Sequence, residues 1–236
     1  MLLQLILCPI LFSFLYQITN IKGLAFKYLL TRSKCDFCQK PISYLQLIPI
    51  FNFIRSQGKS LCCNRQLSKS YIIGELLSYG SLIILNITIL PVNGALLLLI
   101  YFSLLVLALY DIKTYSIPVH IPIIVIITSF ILGSFYFLQG CFITMLLHLI
   151  FYCCKNSIGY GDILIFALLS FILPFSIFFL ILWLTFLTGG CFSIFYIALK
   201  RSLKFKLPLV PFIFCAFNLV ALFYPFLNMG GDLIEY

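Results

Sequence analysis

Gly94-Ala-Leu-Leu-Leu-Leu-Ile-Tyr-Phe-Ser-Leu-Leu-Val-Leu-Ala-Leu-Tyr110 runs for seventeen residues without a charge, and Asp111 follows it at once. A run of about 17 to 25 apolar residues is long enough to cross a bilayer. Outward from it the pattern repeats, with comparable runs near 2–19, 71–90, 119–137, 177–199 and 207–228 and shorter ones at 141–154 and 162–173. With hydrophobic residues at 63% and charged ones at 9% of 236, no soluble core needs so much apolar surface. The runs predict an all-α, multi-pass membrane protein of about eight transmembrane helices.

The basic residues test that expectation. Threading eight spans with the N-terminus outside places 20–70, 111–118, 155–161 and 200–206 on the cytoplasmic side, and these hold nine, one, one and four of the fifteen Lys and Arg. The opposite loops hold none, which is the positive-inside bias in full. The net charge of +9 therefore follows topology and faces the lipid bilayer; it does not mark nucleic acid as a partner. The first run lacks a basic stretch before it, and Lys22, Lys27, Arg32 and Lys34 come after it, so it reads as a retained helix instead of a cleaved signal. Three regions result: a first transmembrane helix at 1–19, one cytoplasmic cysteine-containing loop at 20–70, and a transmembrane domain at 71–236.

Within the loop, Cys35-Asp-Phe-Cys38 is followed by Cys62-Cys63. A weak repeat relates them: Cys35-x-x-Cys38-x-x-x-Ile42-Ser43 aligns with Ser60-x-x-Cys63-x-x-x-Leu67-Ser68. Two such thiolate knuckles can close a tetrahedral zinc site. Cys35, Cys38 and Cys63 are the candidate ligands, with Cys62 or water as the fourth, because Ser60 stands where a cysteine is expected. Two other readings stand beside zinc: a disulfide, disfavoured in a reducing cytoplasm, and a metal-free knuckle held by packing of Ile42, Leu47, Ile50 and Phe53. The cysteines in or beside the apolar runs read as small hydrophobes.

The chain has six acidic residues, and two of them, Asp111 and Asp162, sit at the ends of apolar runs on the same predicted side. Asp162 closes Gly159-Tyr160-Gly161-Asp162, where the glycines suggest special backbone conformations and the start of a helix suits a carboxylate. Pairing with Lys113 or simple helix capping would account for each aspartate alone. Their shared depth favours a pair. Two carboxyls close together in low dielectric share one proton, so one can deprotonate a water while the other hydrogen-bonds a scissile carbonyl, as in aspartic proteases. The rival is a proton-coupled transporter using Asp111 and Asp162, against which stands the lack of repeated halves around a midplane site.

Taken in order, the knuckles, Tyr71-Ile-Ile-Gly-Glu75, Asp111 to Pro118, Gly159-Tyr-Gly-Asp162 and Leu207-Pro208-Leu-Val-Pro211-Phe212 resemble the prepilin peptidase family, intramembrane aspartic proteases that also go by the name type 4 prepilin leader peptidases. The resemblance covers nearly the whole chain. It implies that Asp111 and Asp162 are the catalytic pair, that Gly159, Gly161, Pro118, Pro208 and Pro211 belong to the supporting motifs, and that 71–236 is the peptidase domain. It further implies prepilin or pseudopilin substrates cut at the cytoplasmic face of a bacterial inner or plasma membrane. N-methylation of the new N-terminus by S-adenosylmethionine, with the Glu75 region implicated, comes with it. The small size and the Cys35–Cys38 knuckle are similar to members serving competence pseudopilins in Gram-positive bacteria. Two departures are Ser60, already noted, and Leu164, where the family often has lysine.

Overall fold

The computed structural model describes residues 2–19, 34–35, 37–42, 53, 56–88, 90–133, 135–153, 159–200 and 206–227. Lys22, Lys27, Arg32, Leu47, Ile50, Cys154 and the tail from 228 lie outside these residues, as does most of the proposed loop before residue 56. Among the described residues the chain is helical, with two isolated β-bridges and no strand. It divides into two compact units, Met1–Ile83 and Ile84–Tyr236.

In the first unit, α1 (Leu2–Thr19) packs on α2 (Lys69–Ser78); α3 (Gly80–Ile87) follows after Tyr79, and the division between the units falls within it. Ser68 opens α2 by accepting the Ser70 N–H on its hydroxyl, the expected N-cap chemistry. The α1–α2 seam is closed by Phe12, whose ring occupies the space a side chain at Gly74 would need. Phe12 stacks on Tyr16 with centroids 5.5 Å apart, and Tyr16 meets Tyr71 edge-on at 5.0 Å. Phe12 and Tyr16 are fully buried, so this aromatic column is the unit's core.

The second unit is built on α4 (Gly94–Thr114). Asn93 caps it through Oδ1, which accepts the Ala95 N–H at 3.0 Å, and residues from Leu96 to Leu109 are buried around most of its circumference. Its neighbours are α5 (His120–Ile131) and α9 (Val210–Leu227). In turn α5 touches α7 (Tyr160–Ile172), α7 touches α8 (Phe175–Lys200), and α8 packs along α9, while α6 (Phe137–Cys153) lies along α7. Gly140 of α6 gives way to the Phe171 ring of α7, and Gln139 Nε2 donates to the carbonyls of Ser170 and Leu173 at 3.1 and 3.0 Å, satisfying acceptors freed at the end of α7.

Among the described residues, three helical stretches are long and apolar enough to cross a membrane: Lys69–Ile87, Gly94–Thr114 and Phe175–Lys200. The other apolar helices are shorter. On α6, Leu138, Phe142 and Met145 are 84, 70 and 72% exposed, and the outer faces of α5 and α8 carry similar large apolar side chains. Such a surface is costly in water and suits hydrocarbon.

Two boundaries differ from the sequence expectation. The apolar run stops at Tyr110, but α4 continues to Thr114, with Lys113 in its last turn and Tyr115 closing it in the left-handed region at φ 52°. Asp111 therefore belongs to the helix body, not to its end. A proline here suits the first turn of the following helix, but Pro118 lies two residues before α5, and its carbonyl accepts the Ile121 N–H at 3.2 Å.

Candidate active site

Asp111 is 5% exposed, on a helix otherwise lined by leucine and aromatic side chains. Burying a carboxyl is costly unless it is hydrogen-bonded, and its partner is the backbone of α9: the Val210 N–H donates to Asp111 Oδ2 at 3.3 Å. Lys113 is exposed, and two residues along a helix do not share a face, so the simple interfacial pairing with Asp111 is not made.

Asp162 is half-buried in the first turn of α7. Its carboxyl folds back over the N-cap residue, so that a side chain at Gly159 would put its first carbon 2.9 Å from Asp162 Oδ2. The Gly159 N–H also bonds the carboxyl, which is the returning half of a capping box. Capping and pairing are not exclusive here, because Asp111 and Asp162 lie close enough for the charge on one to act on the other.

The two glycines have a different purpose from the one the sequence suggests. Gly159 has φ −69° and ψ 138°, open to any residue, and Gly161 is helical without a positive φ. What both give is room. A first side-chain carbon on Gly161 would stand 2.7 Å from Ile117 Cδ1, so its absence lets the connection after α4 lie against the first turn of α7. That contact draws the segment six residues beyond Asp111 onto the turn carrying Asp162.

Within Leu207 to Phe212 it is the Val210 backbone that reaches Asp111. Pro208 precedes α9 and Pro211 is its second residue. His148 is exposed on α6, bonded through Nδ1 to the Thr144 carbonyl at 2.8 Å and edge-on to the Tyr160 ring, which fits a packing role.

In the first unit the cysteine repeat is structural. Cys35 N–H bonds the Lys40 carbonyl and Ser60 N–H the Arg65 carbonyl; Gln39 N–H bonds Cys35 and Asn64 N–H bonds Ser60. Gln39 and Asn64 both take φ 56°, and the bridges Lys34–Pro41 and Lys59–Gln66 close the two knuckles alike. Arg65 lies over the Phe37 ring at 5.5 Å, joining one to the other. The sulfurs of Cys35, Cys38, Cys62 and Cys63 all fall within 4.8 Å of one another. Tetrahedral zinc with thiolates at about 2.3 Å needs sulfurs about 3.8 Å apart; Cys35 and Cys63 stand at 3.9 Å and Cys38 and Cys62 at 3.2 Å. The four residues thus fit the metal.

Ser60, in the place of a ligand, lies 3.3 Å from Cys35 Sγ and 3.0 Å from Cys62 Sγ. Burial opposes charge on Cys35, but the Ser60 hydroxyl and the N–H groups of Cys38 and Phe37 outweigh it and bring the thiol down to about 6. At Cys62 the Ser60 hydroxyl favours the thiolate, yet the Cys38 and Cys35 sulfurs prevail and push it up to about 11. Glu75 is half-buried on α2, where its backbone carbonyl accepts the Ser78 hydroxyl at 2.6 Å.

Comparison with known proteins adds the lineage. The bacterial peptidase A24 N-terminal domain matches residues 6–89 and the type IV leader peptidase family matches residues 98–194. Over 158 residues the chain is 28% identical to a prepilin leader peptidase/N-methyltransferase of Pectobacterium carotovorum subsp. carotovorum, covering 58% of this chain and 54% of that protein. Over 90 residues it is 34% identical to a protein of the same description from Klebsiella pneumoniae, covering 36% of this chain and 38% of that one. The matched region thus spans about half or less of these relatives. No solved structure matches. The first match contains both cysteine knuckles and the second contains Asp111 and Asp162, in the order the sequence motifs foretold, and the chain belongs to the type IV leader peptidase family.

Proposed function

We propose that this protein is a membrane aspartic endopeptidase that removes the basic leader of type 4 prepilins or competence pseudopilins at the cytoplasmic membrane face. The observation that carries the reading is the pair itself: Asp111 and Asp162, from separate helices, within reach of each other's charge in mostly apolar surroundings. In the proposed reaction one carboxylate takes a proton from water while the protonated partner donates to the scissile carbonyl, and the roles reverse as the amine leaves. The biased distribution of Lys and Arg supports eight spans and a cytoplasmic site. A prepilin-type leader would be cut where its apolar helix leaves the bilayer on that side.

The test is mass spectrometry of a coexpressed pseudopilin. The expected product lacks the leader at a single cleavage position only when the enzyme is active. An unprocessed substrate with the wild-type protein sinks the reading, and pH-gradient-dependent uptake of a solute would favour the transporter instead.

N-methylation by S-adenosylmethionine is proposed from the relatives' description alone. The α1–α2 seam next to Glu75 is filled at Gly74 by the Phe12 ring. The added mass of one methyl group on the new N-terminus decides it.

Zinc is proposed at Cys35, Cys38, Cys62 and Cys63. Four thiolates leave no open position, so the metal would join the two knuckles and take no part in hydrolysis. About one zinc per chain is expected in purified protein, with loss in Cys38→Ala and Cys62→Ala. Unchanged zinc content in either variant removes the site.

A further inference from the structure

The type IV leader peptidase match ends at residue 194, before the segment whose backbone reaches Asp111. The first turn of α9 offers few free donors. Pro211 has no N–H, and the Phe212 and Ile213 N–H groups both go to the Leu209 carbonyl, at 2.9 and 3.1 Å. Helix starts normally leave several amides without partners; here the Val210 amide remains, and it goes to Oδ2 of the buried carboxyl. The turn is also held in place. Val210 is fully buried, Leu209 and Phe212 lie over Gly189 of α8, and Phe212 meets the Phe192 ring at 5.4 Å.

We infer that the Val210 amide is a positioning group for Asp111: it fixes the rotation of the carboxyl, leaving the other oxygen for the reaction, while Pro211 and the Leu209 carbonyl remove competing donors. This rests on the hydrolytic reading of Asp111 and Asp162. A carboxyl free to turn would spend most of its time out of line with water and carbonyl, and misplacement on the order of 1 Å can cost about 10²-fold in rate.

Proline is tolerated at the first position of a helix, so Val210→Pro deletes the N–H with little else disturbed. Replacement of Val210 by its α-hydroxy acid, which turns the amide into an ester, deletes the same N–H and keeps the side chain. Both are measured on purified full-length protein with a prepilin-type substrate, after thermal unfolding shows that they fold. Each is expected to lower kcat by about 10- to 10²-fold with KM changed less than about twofold. Val220→Ala, which trims a fully buried α9 position away from the aspartates, controls for lost packing and is expected to keep kcat.

Wild-type kcat in either folded variant lacking the N–H overturns the inference. So does a loss in Val220→Ala equal to theirs, or a loss confined to KM. Asp111→Asn separates the two levels: if it still cleaves, the hydrolytic reading fails with everything built on it. If it is inactive while Val210→Pro is active, only the role of Val210 fails.

Discussion

Asp111→Asn and Asp162→Asn are each expected to stop leader removal while leaving a folded, membrane-inserted protein. Asparagine keeps the size of the side chain and an oxygen that can accept the Val210 or Gly159 N–H. It cannot exchange a proton. General acid–base steps contribute about 10²- to 10⁴-fold each, and groups that act as a unit lose nearly everything when either is removed. A loss of at least about 10³-fold is therefore expected from each single variant, with little more from the double. Stability is not expected to fall, since a pair that shares one proton already holds one neutral carboxyl and asparagine matches that group in size. Processing rates measured alongside thermal unfolding check both statements. A single variant that processes substrate at the wild-type rate would sink the pair.

Gly161→Ala is expected to lower activity by about 10²-fold although no reacting group is touched. The added carbon would stand 2.7 Å from Ile117 Cδ1, too close for either to stay. Overpacking of this kind costs about 1 to 3 kcal/mol when the surroundings must shift. The Ile117 tip can turn aside, but its Cγ1 and Cβ, 3.0 and 3.2 Å away, leave part of the shift to the turn that carries Asp162, which alters the spacing of the pair. Ile117→Ala should restore most of the activity when combined with Gly161→Ala, because it removes the atoms that collide. A thermodynamic cycle of the four proteins, read as kcat/KM, checks this. Additive losses would show that Gly161 matters for some other reason.

How far the site was legible depended on which atoms carried the information. Asp111 and Asp162 stood out because ionisable groups are rare in apolar runs, and the knuckle repeat because cysteine spacing survives in the sequence. The end of α4 was misplaced by one turn, since hydrophobicity stops at Tyr110 whereas helix geometry persists until Tyr115 turns left-handed. Gly161 was noticed for its backbone freedom, but its use is the proximity of Ile117, a contact between residues far apart in sequence. Val210 stands inside the Leu207–Phe212 motif with nothing to single it out: what it offers is an N–H that nearly every residue has, and only the fold decides where that donor points. At Ser60 the pattern looked broken. Spacing left Cys62 or water as the fourth partner, and the distances put the Cys62 sulfur within 4.8 Å of the other three and 3.0 Å from the Ser60 hydroxyl.

The link between α4 and α9 has a consequence for the order in which the protein is made. Both aspartates have been joined to the chain by residue 162, yet the amide that holds Asp111 is not synthesised until residue 210. Through the intervening stretch the nascent chain carries both carboxyls but lacks the partner that orients one of them. Full cutting power would then come only with the arrival of α9, the rate before it held down by about the 10- to 10²-fold that a missing amide is expected to cost.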